Sequence, residues 1–346
     1  MPKGEYLQYG GQAIIEGVMM RSPRYFAVAV RAPNQQIVLQ AEPLAKTWIG
    51  RQKWLKLPFL RGTLALLDAM ALGIRAMHFA SHIQMDDRYQ PQTPSGEGSD
   101  EKPEAVPGEV VSGGGENDSI KKIAVGGAMV MGLVVGLFLF VFLPNLIGQG
   151  LLQRFFGIDD STIVNFVSNL VKVVIFIGYI WLVSRMPEIK RVFMFHGAEH
   201  KAINTLEADE ELTLENCKRQ TRLHPRCGTS FAIIVLLVGI LIFTFVPRYP
   251  VPEWKHLLFL NTLLRFGIEL LILPFIAGIS YEMLRFAGKF RNSNFVMALF
   301  KPGLWTQYIT TVEPDEDQIE VALVALKACI DAEQGHTEAA PVPAAV

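Results

Sequence analysis

Long apolar runs alternate along this chain with segments dense in charge, and that alternation sets the expected fold class. A helix rises about 1.5 Å per residue, so crossing a hydrocarbon layer of about 30 Å takes about 20 mostly apolar residues. Ile123 to Ile147 has no charged residue and reads as a first span. Ile163 to Ser184, interrupted by Lys172, reads as a second. Phe231 to Val246 is short but almost uniformly apolar and reads as a third; Leu257 to Tyr281, carrying Arg265 and Glu269, reads as a fourth. The pattern predicts an α-helical polytopic membrane protein with about four transmembrane helices, paired as hairpins over 123–184 and 231–281.

Lys and Arg set the expected orientation. Residues 185–230 hold eight of them, 148–162 only Arg154, and 247–256 only Arg248 and Lys255. Positive charge stays on the cytoplasmic side, which puts 185–230 and both termini inside an inner membrane. The first residues lack a charged segment leading into an apolar one, so no cleaved leader is expected.

Five further stretches read as aqueous or interfacial. Residues 1–45 form a β-rich cytoplasmic unit, with Tyr25–Arg31 and Ile37–Glu42 flanking the turn signal Ala32-Pro33-Asn34. The glycine-containing Gly10–Pro23 before them suits a tight packed turn. Residues 55–84 read as an amphipathic or interfacial helix, with Arg61, Asp68 and Arg75 seven apart and near one face. Residues 86–119, rich in Pro, Gly, Ser and Glu, read as a disordered linker, and 333–346 as a disordered tail. Residues 282–332 form cytoplasmic helices; Asp315-Glu-Asp-Gln318 signals the start of one running to about Ala332.

Composition narrows the function. With 32 Lys and Arg against 33 Asp and Glu, the net charge of −1 disfavours a nucleic-acid binder with a basic surface. Three cysteines (Cys217, Cys227, Cys329) make no disulfide framework and point to a reducing compartment or to metal ligation. His196-Gly-Ala-Glu-His200 sets two imidazoles on one helix face, and His224-Pro-Arg-Cys227 follows. Imidazole and thiolate are ligands that Zn²⁺ prefers, with another divalent metal as the alternative. Three readings fit these residues. In a catalytic site, Glu199 is the base beside an open metal position, as in the inverted zinc-protease pattern, with Arg226 or Arg222 stabilising an anion. In a structural site, His196, His200, His224 and Cys227 close the tetrahedron. In a metal-free arrangement the histidines cap or pack against helix ends.

Other polar residues share helix faces inside the expected spans. Asn165, Asn169 and Lys172 share one face of the second span, and Asn261, Arg265 and Glu269 one face of the fourth. Intramembrane charge is costly, so Glu269 is expected to compensate Arg265 or Lys172 and to join the two spans. Glu16, Arg21, Arg222, Glu282 and Arg285 are possible supports of the metal segment, with a Glu282–Arg285 pair as the simpler expectation. His78 and His82 read as a polar helix face, Cys217 and Cys329 as buried core. Pro302-Gly-Leu-Trp305 reads as a turn whose Trp anchors at the membrane interface.

Gly11–Arg21, His196–Ile203, His224–Phe231, Gly278–Glu282, Pro302–Trp305 and Glu313–Asp315 together resemble the motifs of the YqhQ-like bacterial membrane family. That resemblance covers nearly the whole chain outside the linker and tail. It implies a multi-pass membrane protein of unknown function that carries the label of a metal-dependent enzyme. The label rests on the same His, Glu and Cys residues and adds no independent evidence. Two functions remain in view: a metal-dependent, hydrolytic enzyme at the cytoplasmic face, and a non-catalytic adaptor whose zinc site organises a docking surface for a translocon or membrane quality-control machine. The expected partners are the lipid bilayer and a membrane protein or a second copy of the chain.

Overall fold

The computed structural model describes residues 9–44, 60–91, 131–158, 160–247, 249–254, 256–289 and 293–335. Its N-terminal part is one antiparallel sheet in the order β1 (Gly10–Ile14), β2 (Gly17–Arg21), β3 (Tyr25–Arg31) and β4 (Ile37–Pro43). The β3–β4 hairpin turns where Pro33-Asn34 predicts it, with Arg31 opposite Ile37. The stretch before it is more regular than expected. Instead of a single packed turn it forms a hairpin: Gly10 pairs with Arg21 and Ile14 with Gly17, and the reversal rests on Glu16 in the left-handed region at φ 52°. No Asn-Gly or Asp-Gly pair marks that turn, so no local signal announced it.

Helix α1 (Leu60–Met85) lies against one side of the sheet. Leu72, Ala76, Ala80 and Ile83 bury against Ile14, Phe26, Val28 and Val30. The three charges spaced seven apart each reach a different element. Arg61 makes a two-pronged contact with Glu282 at 2.6 and 2.5 Å, Asp68 pairs with Arg21 at 2.7 Å, and Arg75 pairs with Glu42 at 2.7 Å. Glu282 therefore pairs with Arg61, and Arg285 is exposed. The stretch read as the start of the linker is partly ordered: Asp86 caps a short 3-10 turn over Asp87–Tyr89, and the Tyr89 carbonyl accepts from Asn34 N–H. The expected linker from 92 to 119 lies outside the described residues, as does the tail from 336.

Next come α2 (131–156, with a π-helical stretch at Phe138–Phe142), α3 (Ser161–Val183), α4 (Pro187–Glu207) and the short α5 (Leu214–Arg219). After these follow α6 (Gly228–Phe243), α7 (Leu258–Lys289), α8 (Asn294–Thr310) and α9 (Glu316–Gln334). The capping box at Asp315 and Gln318 is formed, and α9 covers the other face of the sheet through Ile319, Ala322, Leu326 and Cys329.

Among the described residues, four helical stretches are long and apolar enough to cross a membrane: Arg61–Met85, Met131–Gly148, Ser161–Val183 and Phe259–Phe286. The count agrees with the expectation but the membership differs. The expected third span is a 16-residue helix, about 24 Å long. It is held inside the bundle, with Ile234 and Val238 packed on Ile276 and Phe300. Residues expected around Pro302 to be a turn lie inside α8. There Gly303 sits so close to Ser230 that an added Cβ would meet the Ser230 Cβ at 3.0 Å, so α8 packs tightly on the start of α6. Trp305 stays 62% exposed.

At the far end of α6 the polar faces of α3 and α7 meet. Arg265 donates to Asn165 Oδ1 at 2.6 Å and to Glu269 at 2.9 Å, while Lys172 Nζ stands 3.6 Å from Glu269. Asn165 Nδ2 donates to the Thr244 and Val246 carbonyls at 3.2 and 2.8 Å, closing the end of α6.

Candidate metal centre

Helix α4 starts at Pro187, whose missing N–H costs nothing in a first turn, and runs through His196, Glu199 and His200. Packing turns this face inward. An added Cβ at Gly197 would collide with the Val312 carbonyl, and Val312 N–H donates to Phe193 O at 2.9 Å, so the chain after α8 lies directly on α4. The loop before α6 hangs from the next face of the same helix. Lys201 Nζ donates to the Lys218 and Gln220 carbonyls, both at 2.9 Å, and Asn204 donates to the Thr221 and Leu223 carbonyls. Those bonds deliver Cys227 to the histidines, where it caps α6 and accepts from Thr229 N–H at 3.4 Å.

The metal-binding atoms of His196, His200 and Cys227 lie within 4.8 Å of one another and can hold a metal ion. Both rings are oriented by carbonyls behind them. His196 Nδ1 lies 2.8 Å from Thr310 O, and His200 Nδ1 lies 2.6 Å from Arg222 O. A carbonyl only accepts, so each Nδ1 carries the proton and each Nε2 presents a lone pair. Cys227 Sγ is 3.0 Å from His196 Nε2, with the thiol as donor, whereas His200 Nε2 is buried with no hydrogen-bond partner. An acceptor stranded in a site this dry costs about 1–3 kcal/mol unless something fills it. Burial holds the His200 imidazole below its usual range, opposed by Cys227, which favours the neutral ligand form.

The fourth expected ligand faces elsewhere. His224 lies beside His200, ring centroids 5.6 Å apart, but its Nε2 is 3.2 Å from Glu207, which also pairs with Arg226. Its backbone is clamped by Gln307, which accepts from His224 N–H at 2.8 Å and donates to His224 O at 2.7 Å. Glu207 and Gln307 are absent from the sequence reading. Glu207 was within reach, since 196, 200 and 207 share a helix face; Gln307 has no signal beyond its place after the Pro302–Trp305 motif.

Beside His196 and Cys227 is a cleft of about 410 Å³, also lined by Gly11, Gln12, Glu199, His224 and Arg226 among others. Glu199 is 6% exposed. Burial raises its pKa, opposed by His196, His224 and a backbone hydrogen bond from Gly11. Strand β1 therefore roofs the site: a Cβ on Gly11 would meet the Glu199 side chain at 2.8 Å. The remaining supports lie farther out. Glu16 pairs with Arg191 at 2.6 Å, Arg21 with Asp68, and the Arg222 guanidinium with Thr311 O. Cys217 is buried beside Thr205, which donates to it at 3.2 Å. Cys329 is buried against Met20, and burial pushes its thiol up to about 12.

The family described as "Protein of unknown function (DUF1385)" matches residues 57–332. The "Uncharacterized protein YqhQ" of Bacillus subtilis (strain 168) is 33% identical over 318 residues, covering 91% of this chain and 90% of that protein. No solved structure matches the chain. The chain belongs to the DUF1385 family and is similar to YqhQ over most of its length.

Proposed function

We propose that this DUF1385 protein is a zinc-dependent hydrolase of the inner membrane, with its centre at the cytoplasmic face. One observation carries the reading: two histidines and a cysteine converge with Nε2 of His200 left over, while Glu199 sits beside them in a cleft without joining the ligand set. Three protein ligands and an open position characterise catalytic zinc, whereas structural zinc is closed by four.

The donors suit Zn²⁺, which when bound would supply Lewis acidity at the open position. His196, His200 and Cys227 would hold it. Glu199, buried beside these ligands, takes a proton from the attacking water and later returns it to the leaving group. Arg226, lining the same cleft, faces the developing negative charge. A membrane location is supported by the outer faces of the long helices, where Val174, Leu182, Leu271 and Phe275 are 64%, 64%, 75% and 66% exposed. The positive charge of 185–230 supports a centre on the inner side.

Metal analysis of the full-length protein tests this. About one zinc per chain is expected, falling close to zero in His200→Ala. Glu199→Gln keeps its zinc and loses about 10²–10⁴-fold of any hydrolytic rate. Cobalt-substituted protein should show one exchangeable water; a closed site lacking it, lost together with a bound protein partner in His224→Ala, would favour the adaptor reading.

A further inference from the structure

A second cleft, of about 370 Å³, lies on the outer side of α1, lined by Met70, Gly73, Ile74 and Met77 together with polar Gln12 and His78. Gln12 and Ala69 also line the cleft over His196 and Glu199. The two clefts therefore adjoin across Gln12, within one turn of α1. Gly73 allows that closeness, because a Cβ there would meet the Gln12 amide at 2.6 Å.

The outer cleft belongs to an apolar stripe. Leu67, Met70, Ile74 and Met77 follow one another by three and four residues and are 48%, 55%, 57% and 38% exposed. The opposite face of α1 is already buried on the sheet. The stripe starts where α1 leaves the bundle: Thr63 Oγ1 donates to Pro274 O at 2.8 Å, and Gly62 lies against Gly278. It is thus continuous with the apolar outer face of α7, where Leu271 and Phe275 are exposed. A helix with one face on a protein core and the other apolar and exposed beside a membrane helix lies at the lipid boundary.

We infer that the α1 cleft seats the acyl chain of a membrane lipid, and that the substrate of the His196/His200/Cys227 centre is a lipid whose hydrolysable polar end reaches across Gln12. The flexible Met70 and Met77 side chains suit a chain without fixed shape. The hydrolytic step rests on the proposed function. Water oxygen bonds to the acyl or phosphoryl centre, the ester bond to oxygen breaks, and the alcohol leaves with the proton that Glu199 removed from water. The seating of the chain stands on separate residues.

The full-length protein in detergent, mixed with a lysophosphatidylethanolamine carrying a diazirine at the end of its acyl chain, tests the seating. After irradiation, adducts are mapped by mass spectrometry. Residues 67–78 should label more heavily than the outer face of α3 around Val174 and Leu182. Ile74→Glu, at an exposed position, should cut labelling of 67–78 at least about tenfold, because a charge opposes an apolar chain; Ile74→Leu should restore it. Labelling of 67–78 no heavier than on α3, or indifferent to Ile74→Glu, overturns the seating. Zinc content, read on the same samples, separates the two ideas. Zinc retained without selective labelling removes the lipid seat alone, and selective labelling without zinc removes the metal reading alone.

Discussion

Helix α6 carries a buried polar cluster at each end, and the two are built on opposite principles. At its C-terminal end, Asn165, Lys172, Arg265 and Glu269 answer one another: each charge has an opposite charge beside it and the Asn165 amide is spent on carbonyls. At its N-terminal end, His196, His200 and Cys227 all present acceptor or thiol atoms to one point, and their Nδ1 protons are turned away onto carbonyls. In the first cluster every charge is answered; the second leaves His200 Nε2 buried without a partner, a place that the proposed cation would fill. Burial alone therefore does not tell a structural lock from a site. The sign and direction of what is left over does.

The sharpest way to break the comparison is to unbalance the complete cluster. Glu269→Gln leaves Arg265 and Lys172 without a counter-charge, and breaking a buried pair in this way costs about 3–5 kcal/mol. Thermal unfolding in detergent should show it as the largest fall in Tm of any single change here. Arg265→Met should cost less, because Glu269 keeps Lys172 at 3.6 Å. Equal losses from both variants would show that the lock is not centred on Glu269.

The incomplete cluster should behave the other way. Adding zinc to the apo protein should raise its stability by RT ln(1 + [L]/Kd), about 2.7 kcal/mol at a hundredfold excess over Kd, and this gain should vanish in His200→Ala. In chelator, His200→Ala still loses a buried ring and the Nδ1 bond to Arg222 O, so the readout is the zinc-dependent gain alone. A zinc gain that survives the substitution would show that His200 is not a ligand.

Gly11→Ala probes the roof of the site. Its Cβ would meet Met19 O at 2.7 Å and the Glu199 side chain at 2.8 Å, an overpacking worth about 1–3 kcal/mol. Differential scanning calorimetry should find it well below the Glu269→Gln effect.

The smallest expected effect is a pH dependence of the apo protein. Burial depresses the folded pKa of His200, so on acidification the unfolded chain takes up this proton first. The stability it contributes is present above an unfolded value of about 6.5 and declines as pH falls below it. Glu199 runs opposite: with its folded value raised, it stabilises at low pH and loses that as pH rises above about 4.3. Denaturant melts between pH 7.5 and 5.5 in a Glu199→Gln background should isolate the histidine contribution. His200→Ala should flatten it.

What could be read from the sequence was whatever depends on neighbours along one chain segment. Apolar runs marked most of the long helices, Pro33-Asn34 marked one hairpin, and Asp315 with Gln318 marked the start of α9, because period, turn chemistry and capping act over a few residues. The seven-residue spacing of Arg61, Asp68 and Arg75 showed a shared face but not its partners, which come from three separate elements. Likewise, the i,i+4 histidines at 196 and 200 were visible as a pair on one helix face. That Cys227 joins them while His224 turns to Glu207 was decided by Lys201, Asn204 and Gln307, whose bonds to distant carbonyls fix where the loop lies. The same long-range packing shelters the short α6, sets α8 against its start and lays α1 along the sheet. Each of these states is favoured only once the partner surface exists, so no single segment contains the information.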